Sequence, residues 1–164
     1  GIKDWIPWYS TDIHGMHLIV LDSETPFWKG TRQYDWFIKD LKANAEKMII
    51  ALMHRPVYSS GEHGTLDAPV VAENLVPVFE KYGVAAVFTG HDHDYERSLK
   101  DGIYYVVAGG GGAPLYYQVS TTTYSQVFAK KYHYVALSLE NGKVKAEVFD
   151  DKDGLIDSFT IRAR

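Results

Sequence analysis

Apolar residues fall into short unbroken runs in the first half of the chain. Met16–Leu21, Lys47–Met53 and Val84–Phe88 each read as a strand buried on both faces, since their apolar character does not alternate. Between them the period lengthens. Thr31–Ala43 has amphipathic helical spacing that puts Trp36, Phe37 and Leu41 on one face, and Pro69–Tyr82 repeats the pattern at Val71, Leu75, Val78 and Phe79. Gly83 is placed to end that second helix, and the polar stretch Arg55–Ala68 before it reads as a loop.

The second half changes character. Ile103–Ala108 is another apolar run, and Tyr132–Leu139, Lys143–Phe149 and Leu155–Ile161 read as strands joined by Asn141-Gly142 and Asp153-Gly154, both hairpin dipeptides. Alternating strand and helix followed by an antiparallel meander predicts one α/β (α+β) domain over 1–164. No linker, repeat or internal boundary interrupts it.

Composition narrows the function classes. A balance of 17 basic against 21 acidic residues leaves no electrostatic footprint for nucleic acid. No apolar run approaches the ~20 residues needed to cross a bilayer as a helix, so no membrane partner is expected. The absence of cysteine removes disulfides, thiolate ligands and cysteine nucleophiles. Residues 1–9 hold three aromatics, carry no signal-peptide pattern, and read as the interior of a longer protein.

Histidines supply the candidate chemistry. His91 and His93 follow the Val84–Phe88 run two positions apart, and side chains at i and i+2 share one face of an extended chain. His54 follows Met53 in the same way, so three imidazoles are expected at strand ends, where open α/β sheets place their ligands. His14, His17 and His133 lie in strand-like segments away from these motifs and are assigned structural or surface roles. Asp22 and Glu24 read as turn residues, and Asp92 and Asp94 as either solvated carboxylates or anchors for imidazole N–H groups. Glu96 and Arg97 are expected to pair and brace the loop, with Tyr58 and Tyr95 packing nearby. The glycine run Gly109–Gly112 lacks the lysine and spacing of a P-loop and is expected to need positive φ angles.

Two strings together resemble a known family. Met53-His54-Arg55-Pro56-Val57-Tyr58 and Gly90-His91-Asp92-His93-Asp94-Tyr95-Glu96-Arg97 look like the C-terminal half of a calcineurin-like metallophosphoesterase, in the purple acid phosphatase branch. Trp8-Tyr9-Ser10, Leu21-Asp22-Ser23-Glu24, Gln33-Tyr34-Asp35-Trp36 and the run Ala108–Leu115 fit the same branch. The resemblance implies half of a two-sheet β-sandwich flanked by helices, and hydrolysis of phosphate esters at a binuclear centre of Fe, Zn or Mn. It further implies that His54 and His91 bind one ion and His93 its neighbour, with His63 contacting the phosphate or leaving group. A secreted or periplasmic location follows from the resemblance alone.

The family's G-D-x-x-Y and G-N-H-[ED] strings do not occur in this sequence. With them go the bridging aspartate, the tyrosine and asparagine ligands and a second substrate-contacting histidine. Histidines alone cannot offset the charge of two close ions, so this chain by itself is expected to hold one weakly bound metal at most and to be inactive. Its expected partners are a phosphate ester, the missing N-terminal half of the same domain, and other copies of itself through an exposed sheet edge. Two competing readings are a degenerate domain acting as a binding or structural module, and a self-sufficient zinc site made by His54, His91 and His93.

Overall fold

A computed structural model describes residues 6–164; the opening aromatic segment 1–9 therefore lies partly outside the described residues. The chain runs β1 (Tyr9–Ile13), β2 (Met16–Val20), α1 (Arg32–Ala43), β3 (Met48–Leu52), α2 (Asp67–Tyr82), β4 (Val84–Thr89), β5 (Tyr95–Lys100), β6 (Ile103–Ala108), β7 (Ser125–Ala129), β8 (His133–Glu140), β9 (Lys143–Asp150) and β10 (Leu155–Arg162).

Among the described residues, ten strands form two sheets. The larger has the order β1-β2-β3-β4-β6-β5-β7, and the smaller is β10-β9-β8. β2, β3, β4 and β6 run parallel, which is why they are apolar on both faces: one face receives the helices and the other the second sheet. Ile49 and Ala51 join Phe37, Leu41, Leu75 and Phe79 in the helix-side core. Met48 and Ile50 point the other way and pack with Val144, Ala146, Val148 and Ile161 of the small sheet. The result is the two-sheet sandwich with flanking helices that the resemblance implied.

Local chemistry sets the boundaries. Thr31 is the N-cap of α1, its side chain accepting from the Tyr34 N–H, rather than its first helical residue. Gly83 ends α2 in the left-handed conformation at φ 70°. α2 begins two residues earlier than its apolar spacing predicts because the His63 carbonyl accepts from the Leu66 and Asp67 N–H groups and nucleates the first turn. Asn141 and Gly142 sit at φ 51° and 72°, as a tight hairpin requires.

Three strands have no apolar signature. β1 is largely exposed, β7 is half-buried, and β5 (Tyr-Glu-Arg-Ser-Leu-Lys) buries polar groups. Glu96 and Arg97 do not pair with each other as expected, because neighbours on a strand face opposite ways. Glu96, fully buried, accepts from the Ser60 N–H and Oγ–H at 2.6 Å each. Arg97 turns to the other layer and meets Asp157 of β10 at 2.6 Å, where Tyr95 also donates its hydroxyl proton at 2.7 Å. Tyr95 therefore braces the two sheets.

Candidate metal centre

The parallel strands deliver their C-terminal ends to one edge, and the candidate residues lie just past them. The Met53 N–H donates to the Phe88 carbonyl at 3.1 Å and the Gly90 N–H to the His54 carbonyl at 3.0 Å, so the segments after β3 and β4 stay side by side. This brings His54 and His91 together, Nε2 of one 2.9 Å from Nδ1 of the other.

His91 and His93 do not share a face. His91 takes φ 68°, and the segment from it to Asp94 bends rather than extends, so the i, i+2 rule of a strand does not apply. His91 turns toward His54, His63 and Asp67. His93 instead places Nδ1 2.9 Å from the Pro114 carbonyl and stacks on Tyr116, with ring centroids 4.2 Å apart. Tyr116 in turn lies 5.8 Å from the ring of His63, so one aromatic ring separates the two histidines.

His63 is the most constrained of the four. Its ring centroid lies 3.9 Å from that of His91, and its Nδ1 sits 2.7 Å from Asp92 Oδ1, which also accepts the His63 backbone N–H at 3.0 Å. Asp92 is fully buried, and its other oxygen accepts from Ser59 Oγ. Of the two roles open to it from sequence, solvation is overturned: Asp92 anchors an imidazole, and the imidazole is that of His63.

Two functional candidates had no sequence signal of their own. Asp67, in the first turn of α2, has Oδ2 3.2 Å from His91 Nε2, and one ligand atom each from His63, Asp67 and His91 lie within 4.8 Å of one another. Arg55 holds the other Asp67 oxygen through Nη1 at 2.6 Å and grips Glu24 through Nε and Nη2 at 2.7 and 2.8 Å. Asp22 and Glu24 do form the expected turn, Asp22 accepting the Glu24 N–H at 2.9 Å. Arg55 adds the tie from that turn to α2, and holds the Glu24 carboxyl below its ordinary range.

The electrostatics suit a cation. Burial first, then the neighbouring His63 and His54, push the His91 imidazole below its ordinary pKa, which favours the neutral, lone-pair-bearing form. Neutral imidazoles with a carboxylate form a donor set that fits a borderline divalent ion. Asp94, fully buried and without a hydrogen-bond partner on either oxygen, is pushed up to about 7 by its burial and by Asp92 and Glu96.

The glycine run is explained differently from the expectation. Only Gly112 has a positive φ; Gly109 and Gly110 are needed for close approach. A Cβ on Gly109 would lie 1.9 Å from the Asp92 carbonyl oxygen, and one on Gly110 would lie 2.2 Å from His133 Nδ1. Of the remaining histidines, two are buried and structural and His14 is at the surface. His17 is buried between Asp12 and Asp40, 2.7 Å from each, and His14 lies in the β1–β2 turn. His133 is buried with Nδ1 2.8 Å from the Lys131 carbonyl. Tyr58 packs edge-on against Tyr105 and Tyr124, 4.9 Å from each.

A sandwich with imidazoles and carboxylates gathered at its strand ends agrees with what is known of similar proteins. Residues 2–95 match the family model for calcineurin-like phosphoesterases, and the chain belongs to that family. Within the family it stands in the purple acid phosphatase branch. It is 38% identical over 94 residues to purple acid phosphatase 1 of Ipomoea batatas, covering 56% of this chain and 20% of that protein. It is 37% identical over 112 residues to a purple acid phosphatase of Glycine max, covering 66% and 24% respectively. The solved structure of a purple acid phosphatase from yellow lupin (Lupinus luteus) seeds superposes with a TM-score of 0.85 at 30% identity, covering 95% of this chain and 33% of that one. The chain thus spans about a fifth to a third of the length of these relatives.

Proposed function

We propose that this chain is the C-terminal half of a metal-dependent phosphoesterase domain that hydrolyses phosphate esters once an N-terminal half completes the site. The observation that carries the reading is the meeting of His54 and His91, ring nitrogens 2.9 Å apart, at the ends of adjacent parallel strands, with His63 against the same ring. His54 and His91 would hold one metal ion and His93, turned away onto Tyr116, a second. Bound there, the ions would supply activated hydroxide and neutralise charge on the phosphoryl oxygens.

The chain's own residues do the rest. Asp92 Oδ1 takes up His63 Nδ1 at 2.7 Å, which leaves Nε2 to face the phosphate or leaving group. Arg55 fixes the rim by tying the β2 turn to α2. The missing half would also cover an apolar groove between the sheets, lined by Leu18, Ile50, Leu52, Phe88, Val135 and Leu137. Leu137 and Leu139 of the edge strand β8 are exposed, which makes that edge the natural place for a further strand or a second copy.

The test is complementation. The chain alone should not hydrolyse p-nitrophenyl phosphate in the presence of Zn, Fe or Mn, and mixing it with an N-terminal half carrying G-D-x-x-Y and G-N-H-[ED] should restore turnover. Substantial activity of the chain alone, lost in His54→Ala or His93→Ala, would overturn the half-site reading.

A further inference from the structure

The loop between β2 and α1 carries an aromatic side chain into solvent on a rigid mount. Trp28 is 48% exposed, yet its backbone is fixed, because its carbonyl accepts from the Thr31 N–H at 3.1 Å and from the Thr31 hydroxyl at 2.8 Å. The buried Gln33 side chain pins the start of the same loop to α1, accepting the Asp22 N–H at 2.7 Å and donating to the Asp22 carbonyl at 2.9 Å. We propose that the cleft beside Trp28 is the subsite for the leaving group of the phosphate ester, and that it selects a neutral aromatic alcohol.

The cleft has a volume of about 340 Å³, the size of a small-molecule site. Buried Phe27 and Val71 and the half-exposed Trp28 and Val70 make its walls apolar, and Arg55 and Asp67 line it as well. Phe27 meets Trp28 edge-on with ring centroids 5.9 Å apart, so an entering ring finds an aromatic wall already braced. Asp67 belongs to two places. It lines the cleft, and its Oδ2 lies 3.2 Å from His91 Nε2, which makes the cleft contiguous with the histidines proposed to hold the metal and the phosphate. Water adds its oxygen to phosphorus as the P–O bond to the aryl alcohol breaks, and a proton passes to the departing oxygen.

Charge sets the selection. Glu24 takes Nε and Nη2 of Arg55 and Asp67 takes Nη1, so the guanidinium offers no free donor pair to an anion. One cation against two carboxylates leaves a surplus negative charge, which disfavours a leaving group carrying its own phosphate or carboxylate. A polyol would bring hydroxyls against Phe27, Val70 and Val71, where they find no partners. A neutral ring meets neither penalty. The inference rests on the phosphoesterase reading for the reaction, but binding of the ring does not.

The experiment therefore has two arms. In the first, amide and indole NMR spectra of the chain alone are followed during titration with benzyl alcohol and, separately, with glycerol, for the wild type, Trp28→Ala and Trp28→Phe; the same spectra check that each variant folds. Benzyl alcohol is expected to shift Thr25–Trp28, Val70 and Val71, glycerol to leave them in place, and Trp28→Ala but not Trp28→Phe to abolish the shifts. In the second arm, the domain restored with its N-terminal half is assayed on phenyl phosphate and glycerol 2-phosphate. Trp28→Ala should lower the ratio of the two kcat/KM values about 5-fold, the scale of one aromatic contact, while inhibition by inorganic phosphate changes less than twofold and Trp28→Phe keeps the ratio. An unchanged ratio, or equal loss on both substrates, would overturn the inference. So would the absence of benzyl alcohol shifts at the cleft, or shifts in the chain alone that vanish in the restored domain, which would show that the missing half covers the cleft. If no turnover is restored, the fault lies with the half-site reading, and the shifts in the chain alone decide the cleft.

Discussion

Asp92 and His63, 29 residues apart, are joined by two hydrogen bonds to a single carboxylate oxygen: the His63 backbone N–H at 3.0 Å and its ring Nδ1 at 2.7 Å. One contact fixes where the loop lies and the other fixes how the imidazole is turned. A buried acid thus presets both the position and the tautomer of the residue proposed to meet the phosphate. In a domain with both halves present, His63→Ala is expected to lower kcat/KM by roughly 10²-fold with metal content unchanged, the scale of a general acid. Asp92→Asn should lower kcat by about 10-fold or more with a smaller change in KM, because an amide does not enforce the Nδ1–H tautomer. Steady-state kinetics with metal analysis check both, and loss of metal in His63→Ala would make His63 a ligand in the complete site.

The glycine run should separate into residues with different costs. Gly109→Ala and Gly110→Ala drive a Cβ into the Asp92 carbonyl and the His133 ring, whereas a Cβ on Gly111 meets nothing within 4 Å. The first two substitutions are expected to destabilise by about 1–3 kcal/mol, the usual penalty of forced overpacking, with Gly111→Ala within about 0.5 kcal/mol of wild type. Urea unfolding of the three variants decides it, and equal effects would show that close approach is not the reason for the glycines.

Asp94 makes stability depend on pH with a definite sign. Its folded pKa of about 7 lies above the ordinary 3.8, so the folded state binds more protons than the unfolded one between those values. Its contribution is most favourable below pH 4, declines as pH rises toward 7, and is flat above. Asp94→Asn should therefore be more stable than wild type by about 2–4 kcal/mol at pH 8 in the presence of a chelator, with the difference shrinking as pH falls to 4. Denaturant midpoints at the two pH values read this out, and a pH-independent difference would place the ionisation elsewhere.

Asp157 links the two sheets through Arg97 and Tyr95. Burial alone would raise its carboxyl, but Arg97 and Tyr95 outweigh burial and hold it below the usual range. Removing it leaves a half-buried guanidinium without its partner, so Asp157→Ala is expected to cost about 3 kcal/mol. Exchange of the β9 and β10 amides should accelerate together in that variant. A loss confined to β5 would show that the small sheet is held by apolar contacts instead.

The sequence by itself determined the parallel strands β2, β3, β4 and β6, both helices, the meander and the two motif strings that carry His54, His91 and His93. Those features are local: a strand covered on both faces must be apolar throughout, a helix packed on one side must repeat near every fourth residue, and a hairpin needs residues that tolerate positive φ. Tertiary structure decided the rest. β5 was illegible because its buried residues are polar, and only Ser60, 36 residues away, makes a buried Glu96 tolerable. Asp67 looked like any loop carboxylate until α2 began at it and Arg55 turned one of its oxygens toward β2, leaving the other for His91. The left-handed turn at His91 sent two histidines of one motif to different neighbours, which spacing along an extended chain cannot reveal. Patterns within one element follow from the geometry of that element. Pairings between distant polar side chains do not, because each becomes favourable only when folding removes both partners from water and brings them together.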